Sequence, residues 1–226
     1  MTQQTLNGKE DVSQKIIKTI SYNQEEIIKW IIELYCPEGI ELDPTYSIGN
    51  FYKNISEPML KFDINPQLPD VKQADCSELP LEDNSVKSIM FDPPFIVGIG
   101  TKEAKKSIIC ERFGTYSNIQ NDLWGMYYKS LKEFYRILKQ DGVLIVKCQD
   151  IISCGQQFLS HVEIINRAIQ IGYYPKDLFI LLSNRRMNRW VGKKQQHARK
   201  FHSYFIVFIK QKNYVKYGGK CDSSQS

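Results

Sequence analysis

Apolar residues along the chain fall into short β-prone runs that alternate with stretches of helical spacing. Runs rich in Ile, Val, Leu and Phe and bounded by Pro, Gly, Asn or Asp predict buried strands. Apolar residues three and four positions apart predict helices. The predicted strands cover residues 40–43, 59–63, 71–75, 88–91, 143–147, 178–182 and 201–210, and the predicted helices cover residues 10–20, 24–35, 123–139 and 156–171.

Alternation of strands and helices favours an α/β fold built on a mostly parallel sheet. The last two strand runs are joined by a polar, basic segment and predict an antiparallel hairpin at the C-terminal side of the sheet. We therefore expect a Rossmann-like fold, mostly parallel, with a C-terminal antiparallel hairpin. The 226 residues suit one domain at 21–211, with an N-terminal extension at 1–20 and a disordered tail at 212–226.

Composition narrows the class of protein. Hydrophobic residues make up 42% and charged residues 24% of the chain, as in an ordinary globular protein. No apolar run reaches the length of a membrane span, and the first ten residues lack the apolar core of a signal peptide. The six cysteines are scattered without a Cys-x-x-Cys pair, and the three histidines show no metal spacing with them. We expect a cytoplasmic protein with free thiols, no metal and no membrane contact.

Charge is unevenly distributed along the chain. Residues 1–177 hold 24 acidic and 19 basic residues, a net charge of −5, whereas residues 178–226 hold one acidic and 11 basic residues, a net charge of +10. A basic C-terminal region on an acidic body predicts a polyanionic partner.

Residues 88–95 read Ser-Ile-Met-Phe-Asp-Pro-Pro-Phe, an apolar strand that ends in an acid, two prolines and an aromatic residue. Proline cannot donate to a strand ladder, so the strand must end at Asp92. Ligands of open α/β sheets bind outside the carboxyl ends of the strands, which places Asp92 and Phe95 at such a site. A carboxylate acceptor beside an aromatic face suits a planar substrate that carries an amino group.

Asp-Pro-Pro-Phe after an apolar strand resembles the catalytic motif of adenosylmethionine-dependent amino methyltransferases, which modify N6 of adenine or N4 of cytosine in nucleic acids. The resemblance implies a methyltransferase fold in which Asp92, Pro93, Pro94 and Phe95 hold a flipped base. It also implies S-adenosyl-L-methionine as the cofactor. The cofactor loop precedes the catalytic motif here, which argues against the permuted class of DNA amino methyltransferases.

Candidate cofactor residues follow the first three strands of this predicted sheet. Asp43 is the candidate for the methionine ammonium, and Thr45, Tyr46 and Gly49 are candidates for lining the loop, although the family usually shows a second glycine. Asp63 ends the second strand, where an acid accepts hydrogen bonds from ribose hydroxyls. Ala-Asp-Cys-x-x-Leu-Pro at 74–80 resembles the family segment that meets the cofactor adenine, which implicates Asp75 and Cys76.

The segment between the last two strands is basic and carries one tryptophan. Cationic side chains neutralise phosphates, and a tryptophan offers a stacking face for a base. Residues 195–205 also resemble the C-terminal stretch of small DNA methyltransferases of phage and mobile elements. The predicted nucleic-acid contacts are Arg185, Arg186, Arg189, Trp190, Lys193, Lys194, Arg199 and Lys200.

Several alternatives remain open at this point. DNA is the favoured substrate, and an RNA methyltransferase acting on adenine N6 or guanine N2 is the runner-up. A nucleic-acid-binding relative that has lost catalysis and a glutamine methyltransferase acting on protein are the others, and the basic C-terminal region argues against the last. Without a separate recognition domain, specificity would come from the loops at 96–116 and 183–200, or from a homodimer or a partner subunit.

Overall fold

The computed structural model describes residues 16–93, 123–153, 156–184 and 195–211. Within these ranges the strands are β1 (Ile20–Ser21), β2 (Leu42–Asp43), β3 (Leu60–Asp63), β4 (Lys72–Gln73), β5 (Val86–Phe91), β6 (Leu138–Cys148), β7 (Ile151–Ser153), β8 (Gln156–Phe158), β9 (Tyr173–Leu182) and β10 (His202–Lys210). The helices are α1 (Gln24–Tyr35), α2 (Trp124–Ile137) and α3 (Ser160–Ile171), with a short 3-10 helix at Asn50–Tyr52.

Eight strands form one sheet in the order β1-β9-β10-β6-β5-β2-β3-β4. Neighbouring strands are parallel, except that β10 runs antiparallel to both β9 and β6. The predicted Rossmann-like fold, mostly parallel with a C-terminal antiparallel hairpin, is confirmed. The hairpin consists of β9 and β10, and the seven predicted strand runs all correspond to strands of this sheet.

The direction in which successive strands are added to the sheet reverses between β2 and β5. From β2 it adds β3 and β4 on one side, and then returns to place β5 on the other side of β2. Ligands of open α/β sheets bind at such a reversal, outside the carboxyl ends of the two strands. Asp43 ends β2 and Asp92 follows β5, so both acids lie at this position.

Helices cover both faces of the sheet, and β6 shows how the strand sequence divides between them. Val143 and Ile145 pack in one core cluster with α1, whereas Leu144 and Val146 pack in a second cluster with α2 and α3. This alternation follows from the two-residue period of a strand. A strand that is buried on both faces must be apolar throughout, which explains the continuous apolar runs in the sequence.

Two of the predicted helices extended too far. Residues 156–158 form β8, which pairs with β7, so α3 begins only at Ser160. Ile20 pairs with Ile180 at the edge of the sheet, whereas residues 10–15 of the other predicted helix lie outside the described ranges. In both cases main-chain hydrogen bonds to a neighbouring strand override the helical spacing of the apolar residues.

Candidate active site at the carboxyl ends of β2 and β5

Strand β5, whose last four residues are buried, fixes the position of Asp92. Ile89, Met90 and Phe91 are buried from water, and the next residue is Asp92. Pro93 is buried as well and has no N–H group to continue the ladder. The strand therefore ends where the sequence predicts, and the catalytic candidates Pro94 and Phe95 lie outside the described residues.

One carboxylate oxygen of Asp92 is paired and the other is not. Oδ2 lies 3.4 Å from Nζ of Lys147. Oδ1 is buried and has no hydrogen-bond partner in the described part of the chain. Burial raises the pKa of Asp92 above its ordinary value, and the charge and hydrogen bond of Lys147 act in the opposite direction.

Asp43 lies beside this group and is only 1% exposed. Its Oδ1 accepts hydrogen bonds from the backbone N–H of Thr45 at 2.8 Å and from the Thr45 hydroxyl at 3.3 Å, and its Oδ2 accepts from Tyr52 Oη at 2.8 Å. Burial nevertheless raises the pKa of Asp43 to about 7, with a further contribution from the charge of Asp92. Both oxygens are thus engaged within the protein, so the influence of Asp43 on a cofactor would be chiefly electrostatic.

Thr45 joins the two acids. Its hydroxyl donates to Asp43 and accepts a hydrogen bond from the backbone N–H of Asp92 at 3.1 Å. Because the hydroxyl can donate and accept together, one side chain links the end of β2 to the first residue after β5. A change at this position would disturb the backbone that presents Asp92.

Tyr46 and Gly49 shape the loop after β2. The Tyr46 ring stacks on Tyr52 with centroids 5.5 Å apart, and Lys61 Nζ lies 5.0 Å from the centre of the Tyr46 ring. Gly49 has φ +68°, and a Cβ at this position would lie 2.5 Å from Tyr46 Oη. Glycine is therefore required here for both backbone conformation and space.

The acids after β3 and β4 differ in exposure. Asp63 is buried, and its carboxylate accepts from the backbone N–H groups of Ser47 at 2.9 Å and Asn65 at 2.8 Å. Asp75 is exposed, and its Oδ1 accepts from both the N–H and the hydroxyl of Ser77 at 2.8 Å. Asp63, the candidate for binding the ribose, and Asp75, the candidate for binding the adenine, therefore lie at the ends of adjacent strands on the same edge of the sheet.

Cys76 lies against α2 rather than in the solvent. Its Sγ is 3.2 Å from Ser130 Oγ, and burial raises its pKa to about 11. Such a thiol stays protonated at neutral pH and is a poor nucleophile. The described part of the chain also contains two further free cysteines, Cys36 and Cys148, both buried.

A second polar cluster lies beyond the end of β6. Asp150 is buried, and its Oδ1 lies 2.7 Å from His161 Nδ1 at the start of α3. Tyr204 Oη donates to the other oxygen of Asp150 at 3.4 Å, and His202 Nε2 lies 2.9 Å from the same Tyr204 Oη. These contacts tie β6, α3 and β10 together at the edge of the sheet that carries Asp92.

Two of the predicted nucleic-acid contacts fall within the described ranges. Arg199 and Lys200 lie shortly before β10, separated from it by Phe201, and both are partly exposed. Since β10 runs antiparallel to β6, its first residues lie at the carboxyl end of β6, beside the candidate site. The other candidates, Arg185, Arg186, Arg189, Trp190, Lys193 and Lys194, lie outside the described residues, as does the loop at 96–116.

No three His, Cys, Asp or Glu side chains converge as a metal-binding group anywhere in the described ranges. The helices in those ranges also lack the combined length and apolar character of a membrane span.

Sequence reasoning did not predict the contacts of three residues in this site. Tyr52 binds Asp43, Lys147 binds Asp92, and Phe51 places its ring 4.7 Å from Lys147 Nζ. Lys147 follows a buried strand run and could be expected near the site, but no local signal pairs it with Asp92. Phe51 and Tyr52 belong to the short helix after Gly49, whose contacts are visible only in three dimensions.

Comparison with known proteins finds similarity only in the arrangement of the chain. No protein-family model matches the sequence, and no curated protein does. Among solved structures, the cytosine-N4-specific PvuII DNA methyltransferase superposes with a TM-score of 0.47 at 18% identity, covering 61% of this chain and 48% of that protein. A candidate DNA modification methylase from Thermus thermophilus, crystallised with S-adenosyl-L-methionine, gives a TM-score of 0.43 at 17% identity over 64% of this chain and 56% of that one.

A third structure aligns over more of both chains. It is a SAM-dependent methyltransferase from Thermotoga maritima, a candidate histamine N-methyltransferase, with a TM-score of 0.49 at 18% identity. The alignment covers 83% of this chain and 87% of that protein. In contrast, the chain spans about half the length of the two DNA-modifying relatives. Similarity at these levels shows the fold and not the reaction.

Proposed function

We propose that this protein is an S-adenosyl-L-methionine-dependent methyltransferase that acts on an exocyclic amino group of a DNA base, either N6 of adenine or N4 of cytosine. It is supported by the acids Asp43, Asp63 and Asp92, which lie at the carboxyl ends of the strands around the reversal between β2 and β5.

The observation that carries the proposal is the unpaired oxygen of Asp92. Buried carboxylate oxygens are almost always hydrogen-bonded, so Oδ1 without a donor among the described residues indicates a missing partner. An exocyclic amino group supplies such a donor, and it can be held by Oδ1 while Lys147 stays on Oδ2. The buried Pro93 follows directly and restricts the backbone conformation of Asp92.

The charge of the site fits a cationic cofactor. The buried carboxyl group of Asp43 and the partly buried one of Asp92 lie close enough to interact, and Lys147 is the cation that acts on Asp92. A positively charged sulfonium or ammonium group placed there would offset the remaining negative charge. Asp63 and Asp75 still have acceptor capacity beyond their backbone hydrogen bonds, which suits the ribose and adenine roles proposed for them.

In this mechanism the protein mainly positions the amino group of the substrate and polarises it. When bound, S-adenosyl-L-methionine supplies an activated methyl group on its sulfonium. Asp92 Oδ1 accepts a hydrogen of the amino group and so fixes the direction of the nitrogen lone pair. Transfer would form the C–N bond as the C–S bond of the cofactor breaks to leave a neutral thioether; the amino nitrogen gains a fourth bond and a positive charge, and it then loses a proton. The Asp92 carboxylate already accepts that hydrogen and can act as the base.

The basic C-terminal region supports a nucleic-acid substrate, and we propose DNA with RNA as the alternative. Arg199 and Lys200 lie at the carboxyl end of β6, and the sequence around them is strongly basic. Cationic side chains beside the candidate site would neutralise phosphates while the target base leaves the helix. Sequence specificity would then come from the loops around the site, from a second copy of the chain or from a partner subunit.

The test is transfer of tritiated methyl from S-adenosyl-L-methionine to unmethylated DNA and to total RNA. Wild type and Asp92→Ala are compared, with Glu82→Gln as the matched control because Glu82 is exposed at the opposite end of β5. We expect label in DNA with wild type and Glu82→Gln and none with Asp92→Ala. Label in RNA alone would move the assignment to an RNA methyltransferase. Absence of label in both, together with no cofactor binding by calorimetry, would indicate a binding protein without catalysis.

A further inference from the structure

Lys147 interrupts an apolar column on β6. Val143 and Ile145 point from the same face of the strand into the core cluster around α1, and Lys147 continues that face towards the site. The Lys147 side chain is only 14% exposed. Burying an ammonium group is costly, so an apolar residue would serve folding at least as well at this position.

Among the described residues, an acid and two aromatic rings lie close to the Lys147 ammonium. Nζ lies 3.4 Å from Asp92 Oδ2, 4.7 Å from the centre of the Phe51 ring and 5.7 Å from that of Phe205. Phe205 is the residue paired with Lys147 across the β10–β6 ladder. Aromatic faces attract a cation without neutralising it, which leaves its positive charge available to Asp92.

The groups that face Asp92 from the other packed elements make this cation necessary. Asp43 on β2 and Tyr52 on the short helix each interact electrostatically with Asp92, as does Cys148 on β6. None of these three groups is positively charged. Without Lys147, burial would act unopposed and favour a protonated Asp92. A protonated carboxyl accepts hydrogen bonds more weakly than a carboxylate does.

We infer that Lys147 is a positioning residue: by binding Oδ2 of Asp92 it keeps this carboxyl group ionised and leaves Oδ1 directed at the amino group of the substrate. The inference rests on the proposed function and adds to it a residue that acts through Asp92. It also explains why a lysine stands in a column of buried aliphatic side chains.

The chain offers a matched control for this lysine. Lys61 on β3 has a side chain that is 12% exposed, lies 5.0 Å from the Tyr46 ring centre and forms ion pairs with Glu57 and Asp70. Lys147→Met and Lys61→Met therefore each remove a largely buried cation from above an aromatic ring. Only the first change removes the partner of Asp92. Lys147→Arg restores a cation, and Lys147→Gln serves if the methionine variant does not fold.

The experiment titrates the Asp92 carboxyl group by NMR in protein labelled with carboxyl-¹³C aspartate, with the signal assigned by its absence in Asp92→Asn. We expect the Asp92 midpoint to rise by at least about one pH unit, a tenfold change in proton affinity, in Lys147→Met and to stay in place in Lys61→Met. Lys147→Arg should return it towards wild type. An Asp92 midpoint that is the same in wild type and Lys147→Met would overturn the inference.

Methyl transfer measured against pH provides the second readout. The acid limb of the Lys147→Met rate profile should move to higher pH by the same amount as the NMR midpoint, and activity should recover at alkaline pH. A profile that falls equally at every pH would show a structural effect and also overturn the inference. If wild type transfers no methyl group to DNA or RNA, the proposed function fails, whereas the NMR comparison still decides whether Lys147 sets the ionisation of Asp92.

Discussion

Replacing Asp43 with asparagine should change how stability depends on pH. Asn has nearly the same shape as Asp, and its amide oxygen can keep the hydrogen bonds from Thr45. Its amide nitrogen can donate to Tyr52, whose hydroxyl then accepts where it donates in the wild type. The variant therefore removes the titration of this buried group while it preserves most of the local contacts.

The magnitude follows from the shift in the pKa of Asp43. Burial raises this pKa from 3.8 to about 7, so the native state binds the proton more tightly than the unfolded chain does. A raised acid pKa means that wild-type stability is lost as pH rises from about 4 to about 7 and is constant above that range. A shift of about three units corresponds to about 4 kcal/mol of unfolding free energy, as an upper value.

The assay is urea unfolding of wild type and Asp43→Asn at pH 4 and pH 8, followed by circular dichroism. The stability of the variant relative to wild type should increase by several kcal/mol between the two pH values, whatever constant difference the substitution introduces. Asp70→Asn is the control that should show little difference between the two pH values, because the ion pair with Lys61 lowers the pKa of Asp70 and places its titration at the acid end of this range or below it. Parallel pH dependence in wild type and Asp43→Asn would refute the reasoning.

Three further changes test the contacts around the site. Thr45→Val should lower methyl transfer by about tenfold to a hundredfold, because the buried N–H of Asp92 loses its acceptor at a cost of about 1–3 kcal/mol. Thr45→Ser keeps the hydroxyl and should retain most of the activity. Equal losses of activity in the two variants would contradict this reasoning. Gly49→Ala should lower the unfolding free energy by about 1–2 kcal/mol in urea titrations, since φ is positive and Tyr46 fills the space, and unchanged stability would disprove that account. Lys200→Gln should weaken binding to a DNA duplex in fluorescence anisotropy and reduce the slope of log affinity against log salt by about 1; an unchanged slope would exclude a phosphate contact.

The position of the candidate site could be predicted from the sequence because strand ends carry strong local signals. Asp43 and Asp92 are each followed by proline, and proline ends a strand wherever the ladder needs an N–H group. The parallel order of the strands then gathers their carboxyl ends at one edge. No tertiary information was needed for this step.

The partners of these acids could not be predicted in the same way. Lys147 meets Asp92 only because the β5–β6 register places Phe91 opposite Val146, so that the next residue on each strand is Asp92 and Lys147. A shift of one residue would turn the lysine to the other face of the sheet. Tyr52 reaches Asp43 through the turn at Gly49, whose left-handed backbone the sequence does not specify.

The measurement that tests the central claim most directly is mass spectrometry of nucleosides from DNA incubated with the protein and S-adenosyl-L-methionine carrying a trideuterated methyl group. The account predicts a trideuteromethyl group on N6 of deoxyadenosine or N4 of deoxycytidine, and none with Asp92→Ala. Label on C5 of cytosine would contradict the account, because transfer to carbon needs a nucleophile and the described cysteines are buried or held protonated. DNA that carries no label at all would contradict it as well.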